Sequence, residues 1–254
     1  MRKSTIAVLA MSLFLIAISF KPMSMMIRET WIGLEMTNRY QIDHAYVSDG
    51  FPDILDMKEI EVNGMKIEII ETDTGQDAPQ SYWDKLEQVP GGDIVTVQLK
   101  LDGVSIAEPT EMWLSNRSRG SRYFSWLDVL TVRDRKTGED FVAIVQRLTD
   151  DDGLMEERAW RIVAIKSDGT WNETNLTYHE RSDNPLGVRL VAVSGTSLMA
   201  MGYYSDILNV YPSLFFPLLY PWATSAIGFI LIVIATVMMV KDWTRKKKQR
   251  GNFL

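Results

Sequence analysis

The strongest constraint on this chain is the stretch from Leu214 to Val240 and the basic run directly behind it. Between Trp222 and Val240 lie nineteen residues without a formal charge. At 1.5 Å rise per residue such a helix nearly matches a hydrocarbon core roughly 30 Å thick, which predicts a transmembrane helix over 222–240. Lys241, Arg245, Lys246, Lys247 and Lys248 follow at once. Lys and Arg in short flanking segments favour the cytoplasmic side, so 241–254 is expected to be a cytoplasmic tail and the preceding chain to lie outside. Tyr220 and Trp222 are expected at the outer interface and Trp243 at the inner one. Pro212, Pro217 and Pro221 make 211–221 a juxtamembrane segment, with the regular helix starting after Pro221. Within the span, Thr224 and Gly228 form a small-xxx-small pair able to admit a neighbouring helix. No ionisable residue lies in the span, which disfavours an ion or proton path through it alone.

The other end carries a second apolar segment. Arg2 and Lys3 precede the run Ile6 to Phe20, and two readings of 1–21 stand side by side. Ala17-Ile18-Ser19 offers the small residues of a cleaved signal peptide. Apolar character resumes after Lys21 and Pro22, which suits an uncleaved anchor, giving a single-pass or a two-pass protein. Either reading exports the intervening domain.

That domain, 22–210, is acidic. The whole chain has a formal charge of −6. Setting aside Arg2, Lys3 and Lys21 at the start, and Asp242 with the six basic residues of the tail, leaves 18 basic and 32 acidic residues, a net of −14. Such a field repels nucleic acid and anionic polymers, so no nucleic-acid partner is expected. Cysteine is absent, which removes disulfides, thiolate metal sites and catalytic thiols. Exported domains in oxidising compartments often carry disulfides, so a cysteine-free chain points to a prokaryotic cell envelope.

The pattern within the domain is that of short strands. Ile60 to Ile67 alternates around Asn63-Gly64, a type I′ hairpin signal that sets Val62 against Met65, Ile60 against Ile67 and Glu61 against Lys66. Ile94 to Leu101 turns at Asp102-Gly103, with Val104 and Ile106 expected on the same face. Tyr123 to Val132 joins Phe141 to Leu148. Trp160 to Lys166 turns at Asp168-Gly169 into Thr170 to Tyr178. Val188 to Val193 reads as a strand turning at Ser194-Gly195 into Leu198 to Tyr204, while Thr30 to Asp56 has little pattern. Nine or ten strands joined by tight turns predict a mainly β domain, an antiparallel sandwich or barrel.

Chemical signatures are sparse. No nucleophile elbow, metalloprotease helix or phosphate-binding loop occurs, and no catalytic residue or cofactor is expected. His44 follows Asp43 and His179 precedes Glu180, but neighbours on a strand point to opposite faces, so these read as ordinary surface histidines. Asp150, Asp151, Asp152 and Glu156 are candidate cation ligands, although their spacing does not fit an EF-hand loop. Arg117, Arg119 and Arg122 gather in one loop and are candidate ligand-binding forks. Asn116, Asn172 and Asn175 sit in N-x-[ST] sequons open to glycosylation in a host that modifies exported chains. Six tryptophans, Trp31, Trp83, Trp113, Trp126, Trp160 and Trp171, read as core material before sugar platforms.

The expectation is a non-enzymatic, membrane-anchored binding, accessory or sensor module of an envelope complex, with the lipid bilayer and a membrane or envelope protein as partners. An envelope hydrolase using paired carboxylates on a glycan, or an assembly factor for a transporter, is the alternative.

Overall fold

A computed structural model describes residues 3–45, 58–80, 85–86, 88, 90–114, 123, 126–149, 155–196, 201–208 and 215–251. The chain divides into two compact units, one built from Met1–Trp31 and Tyr204–Leu254, the other from Ile32–Tyr203. The first is helical and the second is mainly antiparallel sheet.

Two helices in the structure are long and apolar enough to cross a membrane. Helix α1 runs Lys3–Arg39 and continues through Pro22, beyond the boundary at residue 21 and into a region that reads as patternless. A proline lacks the N–H that would bond the carbonyl four residues back, which is that of Ile18. Tyr220 supplies the missing donor, its hydroxyl lying 2.7 Å from the Ile18 carbonyl. Tyr220 thus completes the hydrogen bonding of the helix it meets. The C-terminal helix, labelled α3 below, spans Thr224–Gly251 after an irregular turn at Leu218–Ala223.

These two helices pair along small residues. On α1 the buried positions Thr5, Ser12, Ser19 and Met26 recur every seventh residue, and on α3 Ser225 and Ala235 are buried. A seven-residue repeat keeps one seam facing one partner. Ser19 Oγ and Thr224 Oγ1 are 2.8 Å apart. At Gly228 an added Cβ would stand 2.8 Å from Ile16 Cγ1 and 3.2 Å from the Ser12 carbonyl oxygen. The neighbour that Thr224 and Gly228 admit is therefore the chain's own first helix, running antiparallel. In the same unit Glu29 is 4% exposed and its Oε2 accepts the backbone N–H groups of Tyr204 (2.7 Å) and Ser205 (2.9 Å).

The β unit holds two antiparallel sheets. Sheet I has the order β1 (Tyr40–His44), β7 (Leu127–Asp134), β8 (Asp140–Arg147), β9 (Ala159–Lys166) and β10 (Trp171–Thr177). Sheet II is formed by β2 (Glu59–Val62), β3 (Met65–Asp77), β4 (Asp93–Leu101) and β5 (Val104–Ser105), with β6 (Thr110–Trp113) also on β4. No ladder joins the two sheets among the described residues.

The Asn63-Gly64 hairpin has the expected register, with Val62 opposite Met65, Ile60 opposite Ile67 and Glu61 opposite Lys66. Both turn residues take positive φ, 54° and 77°, as a type I′ turn requires. Lys66 Nζ nevertheless reaches Glu59 and Glu68, each at 3.0 Å, and these two carboxylates raise its pKa. Past Asp102-Gly103, Ile106 is 1% exposed while Val104 is 66% exposed, so the two do not share a side.

One apolar cluster draws on both sheets, with Ile67, Ile69, Val97 and Leu99 from sheet II and Val129, Val142, Ile144 and Val163 from sheet I. The other face of sheet I, through Leu130, Val132, Val145, Trp160 and Ile162, packs on Val188, Leu190 and Val191. Those three belong to a helix, α2 (Pro185–Ser194), and not to the strand expected over Val188 to Val193. The caps decide this. Asn184 accepts the Gly187 N–H at 2.9 Å, Pro185 opens the first turn, and Gly195 at φ 69° closes the helix in the left-handed region. The buried positions 187, 188, 190, 191 and 194 follow helical spacing, which β-branched composition disguised. Leu198 falls outside the described residues, and Met201 to Leu208 contains no strand.

Strand β1, with no counterpart in the sequence reading, is an edge strand clasped at its start. Arg39 Nε and Nη2 donate to Asp134 Oδ2 at 3.0 and 2.7 Å, and the backbone N–H of Lys136 donates to Oδ1 at 2.8 Å. Arg39 foremost holds the Asp134 carboxyl down at about 2. A carboxyl depressed below its unfolded value near 3.9 stabilises the fold fully above that value and ceases to do so as pH falls through the folded value. Melting temperatures of the wild type and Asp134→Asn are therefore expected to differ by a constant amount above pH ~4, the gap closing as pH falls to about 2.

Candidate functional site

Polar side chains enter the interior of the β unit at one end of sheet I, where β1 and β8 leave and β7 and β9 begin. On the side facing sheet II, Gln146 and Arg161 are 1% and 3% exposed. Arg161 Nη2 and Nε donate to Gln146 Oε1 at 2.6 and 3.1 Å, and Gln146 Nε2 bonds Thr110 Oγ1 of sheet II. Burial lowers the Arg161 pKa, opposed by Glu173 and Glu108, and an arginine stays charged even so. Tyr123, fully buried, donates its hydroxyl to Glu71 Oε1, and Lys58 Nζ lies 3.7 Å from the other oxygen. This layer fixes the two sheets against each other with satisfied hydrogen bonds, which is a structural use of polar groups.

The side facing α2 differs. Asp128, Arg147 and Arg158 alternate in step with Leu130, Val145 and Trp160, and are 1%, 0% and 5% exposed. Register places His44 opposite Leu130, Asp128 opposite Val145, and Arg147 opposite Trp160. The ladder continues with the Leu148 N–H on the Ala159 carbonyl. His44, Asp128, Arg147 and Arg158 are thus successive diagonal neighbours across four adjacent strands. His44 Nδ1 lies 2.9 Å from Asp128 Oδ2 but without hydrogen-bond alignment. The Arg147 guanidinium covers the Trp126 ring at 4.3 Å.

This changes the histidine reading. The carboxylate beside His44 is Asp128, which is distant in sequence, while Asp43 takes a hydrogen bond from Gln41 at 3.1 Å. His179 is exposed and meets the Tyr178 ring edge-on, and Glu180 accepts from the Thr177 hydroxyl at 2.9 Å. No signal in linear sequence could have joined His44 to Asp128, because the pairing needs the β1–β7 register.

The other candidates scatter. Asp150, Asp151, Asp152, Arg117, Arg119, Arg122, Asn116 and Trp83 lie outside the described residues, and Glu156 is exposed in a short 3₁₀ turn. No group of three or more His, Asp or Glu able to hold a metal occurs among the described residues. Asn172 and Asn175 are exposed on the edge strand β10. Trp160 is fully buried and Trp126 nearly so, Trp113 lies 6.1 Å from Trp126, and Trp31 and Trp171 are exposed. Trp222 and Trp243 are 47% and 64% exposed, about 30 Å apart by helical rise. Lys3, Lys241 and Arg245 are exposed on the two helices, Arg2 is outside the described residues, and Lys246 to Lys248 continue α3.

A separate recess of about 270 Å³ opens between β1, β7 and the β2–β3 turn, with Gln41, Asp43, Asn63, Arg133 and Asp140 on its wall. Its carboxylates are engaged, Asp43 by Gln41 and Asp140 by Arg133 Nε at 3.7 Å. No family model, no curated protein and no solved structure matches this chain.

Proposed function

We propose that this chain is a two-pass membrane protein that presents an acidic β domain outside the cytoplasmic membrane of a cell envelope. There the domain acts as a non-enzymatic binding, accessory or sensor module for a membrane or envelope protein. The observation that carries this reading is the antiparallel seam between α1 and α3. Ser12, Ser19 and Gly228 are shaped for each other, and a cleaved leader would leave that seam open. Antiparallel pairing brings the basic start of α1 and the basic end of α3 to the same side, which the positive-inside bias makes cytoplasmic. The two sheets are read as an open sandwich, a reading supported by the apolar cluster to which both contribute. The competing hydrolase requires a free pair of carboxylates across a cleft, and both carboxylates of the recess are engaged.

A chain without cysteine allows single-cysteine labelling without background. Ser167→Cys, in the β9–β10 turn, is expected to react with a membrane-impermeant maleimide on intact cells. Ser4→Cys and Thr244→Cys should react only after permeabilisation. External labelling at Thr244→Cys, or loss of residue 4 from the mature chain, would replace the two-pass reading.

A further inference from the structure

The charged row on the α2 side of sheet I does not balance. Asp128 is the acidic member of a row that holds two buried arginines, Arg147 and Arg158, and Arg158 makes no hydrogen bond or ion pair among the described residues. Its Nε and Nη1 are both buried. Glu156 and Glu157, which precede it, are exposed. An arginine cannot shed its proton to escape burial, so an unpartnered guanidinium in the interior is among the costliest arrangements a fold can hold. A second arginine, Arg181, follows the end of the neighbouring strand β10. The β9–β10 register ends at Thr177 opposite Ala159, and Tyr178 and Arg158 are the residues just beyond it on the two sides. Arg181 stacks on that tyrosine at 3.7 Å from the ring centroid, with its Nη1 on the Tyr178 carbonyl at 2.7 Å.

We propose that Arg158 binds a small oxyanion, a phosphate or carboxylate group received by the planar guanidinium fork. This rests on the binding-module reading and names the chemistry of its ligand. The surrounding domain is strongly acidic, so anions do not accumulate on its surface unaided. Saturable anion binding therefore reports a built site. The arginines expected from sequence to do this, Arg117, Arg119 and Arg122, are different residues.

The test uses the full chain in nanodiscs, titrated calorimetrically with inorganic phosphate in one arm and with citrate in another, at constant ionic strength. One of the two is expected to bind saturably. Arg158→Met, which keeps the apolar stem, should weaken that binding about tenfold or more, the loss of a charge-assisted pair. Arg158→Lys, which keeps the charge without the fork, should fall between. Arg133→Met, an exposed arginine elsewhere, should bind as the wild type does. Failure of both anions to bind, or equal binding by the wild type and Arg158→Met, overturns the proposal. So does a higher melting temperature for Arg158→Met with no anion dependence in the wild type, which would make the guanidinium a structural cost only. Labelling of the cysteine variants is unaffected by any of these outcomes, so the topology stands or falls separately.

Discussion

Cysteines introduced together as Ser19→Cys and Thr224→Cys are expected to form a disulfide under mild oxidation in native membranes, and Gly228→Leu in the same background should abolish it. The two hydroxyl oxygens are 2.8 Å apart, so the β-carbons stand close enough for a bridge. In a membrane, apolar side chains gain little by leaving lipid for one another, and association depends on close packing and interhelical hydrogen bonds. Gly228 is a point of close approach, where even a β-carbon meets Ile16 at 2.8 Å and the Ser12 backbone oxygen at 3.2 Å. Ile16 can change rotamer, whereas the Ser12 carbonyl belongs to a helix and cannot yield. A leucine must therefore push the helices apart, and the change in crosslinking should be from near complete to undetectable on a reducing versus non-reducing gel. Gly228→Ala is the milder companion and should crosslink partially. Crosslinking that persists unchanged in Gly228→Leu would show that the seam does not hold α1 against α3.

The largest loss of domain stability is expected from Trp160→Ala, about 3–5 kcal/mol. Trp160 is fully buried on the α2 side of sheet I, and its Nε1 approaches the Thr196 carbonyl at 3.5 Å. It stands between the strands and the segment that follows α2, so truncation leaves a cavity that neither the sheet nor the capped helix can close. A domain's whole stability is on the order of 5–15 kcal/mol, so this variant should unfold at much lower denaturant concentration than the wild type. Trp171→Ala, on the exposed edge strand, serves as the control and should shift the midpoint little. An unchanged midpoint for Trp160→Ala would mean that α2 does not close the second face of the sheet.

Local rules carried much of the strand reading. The Asn63-Gly64 hairpin, the Asp168-Gly169 turn and the pairing of β7 with β8 follow from alternation and turn chemistry, which act over a few residues. Helix α2 shows where that reading failed. Val188, Leu190, Val191 and Val193 suit a strand by composition, and the decision went to Asn184, Pro185 and Gly195 at the ends, with burial against a sheet whose residues begin as far back as Tyr40 and Ile42. Strand β1 escaped notice because five residues of mixed polarity take on strand structure only when β7 offers them a ladder.

Sequence alone determined the apolar helices, the acidic and cysteine-free domain between them, its antiparallel character and the small-residue face at Thr224 and Gly228. Each of these is written in neighbouring residues, as length, charge or periodicity. Tertiary structure decided which helix fills that face, which carboxylate stands beside His44, and that Arg158 is buried without a partner among the described residues. Those facts depend on register between strands far apart in the chain. Register is set by the collective burial of both faces of sheet I, and no single segment encodes it.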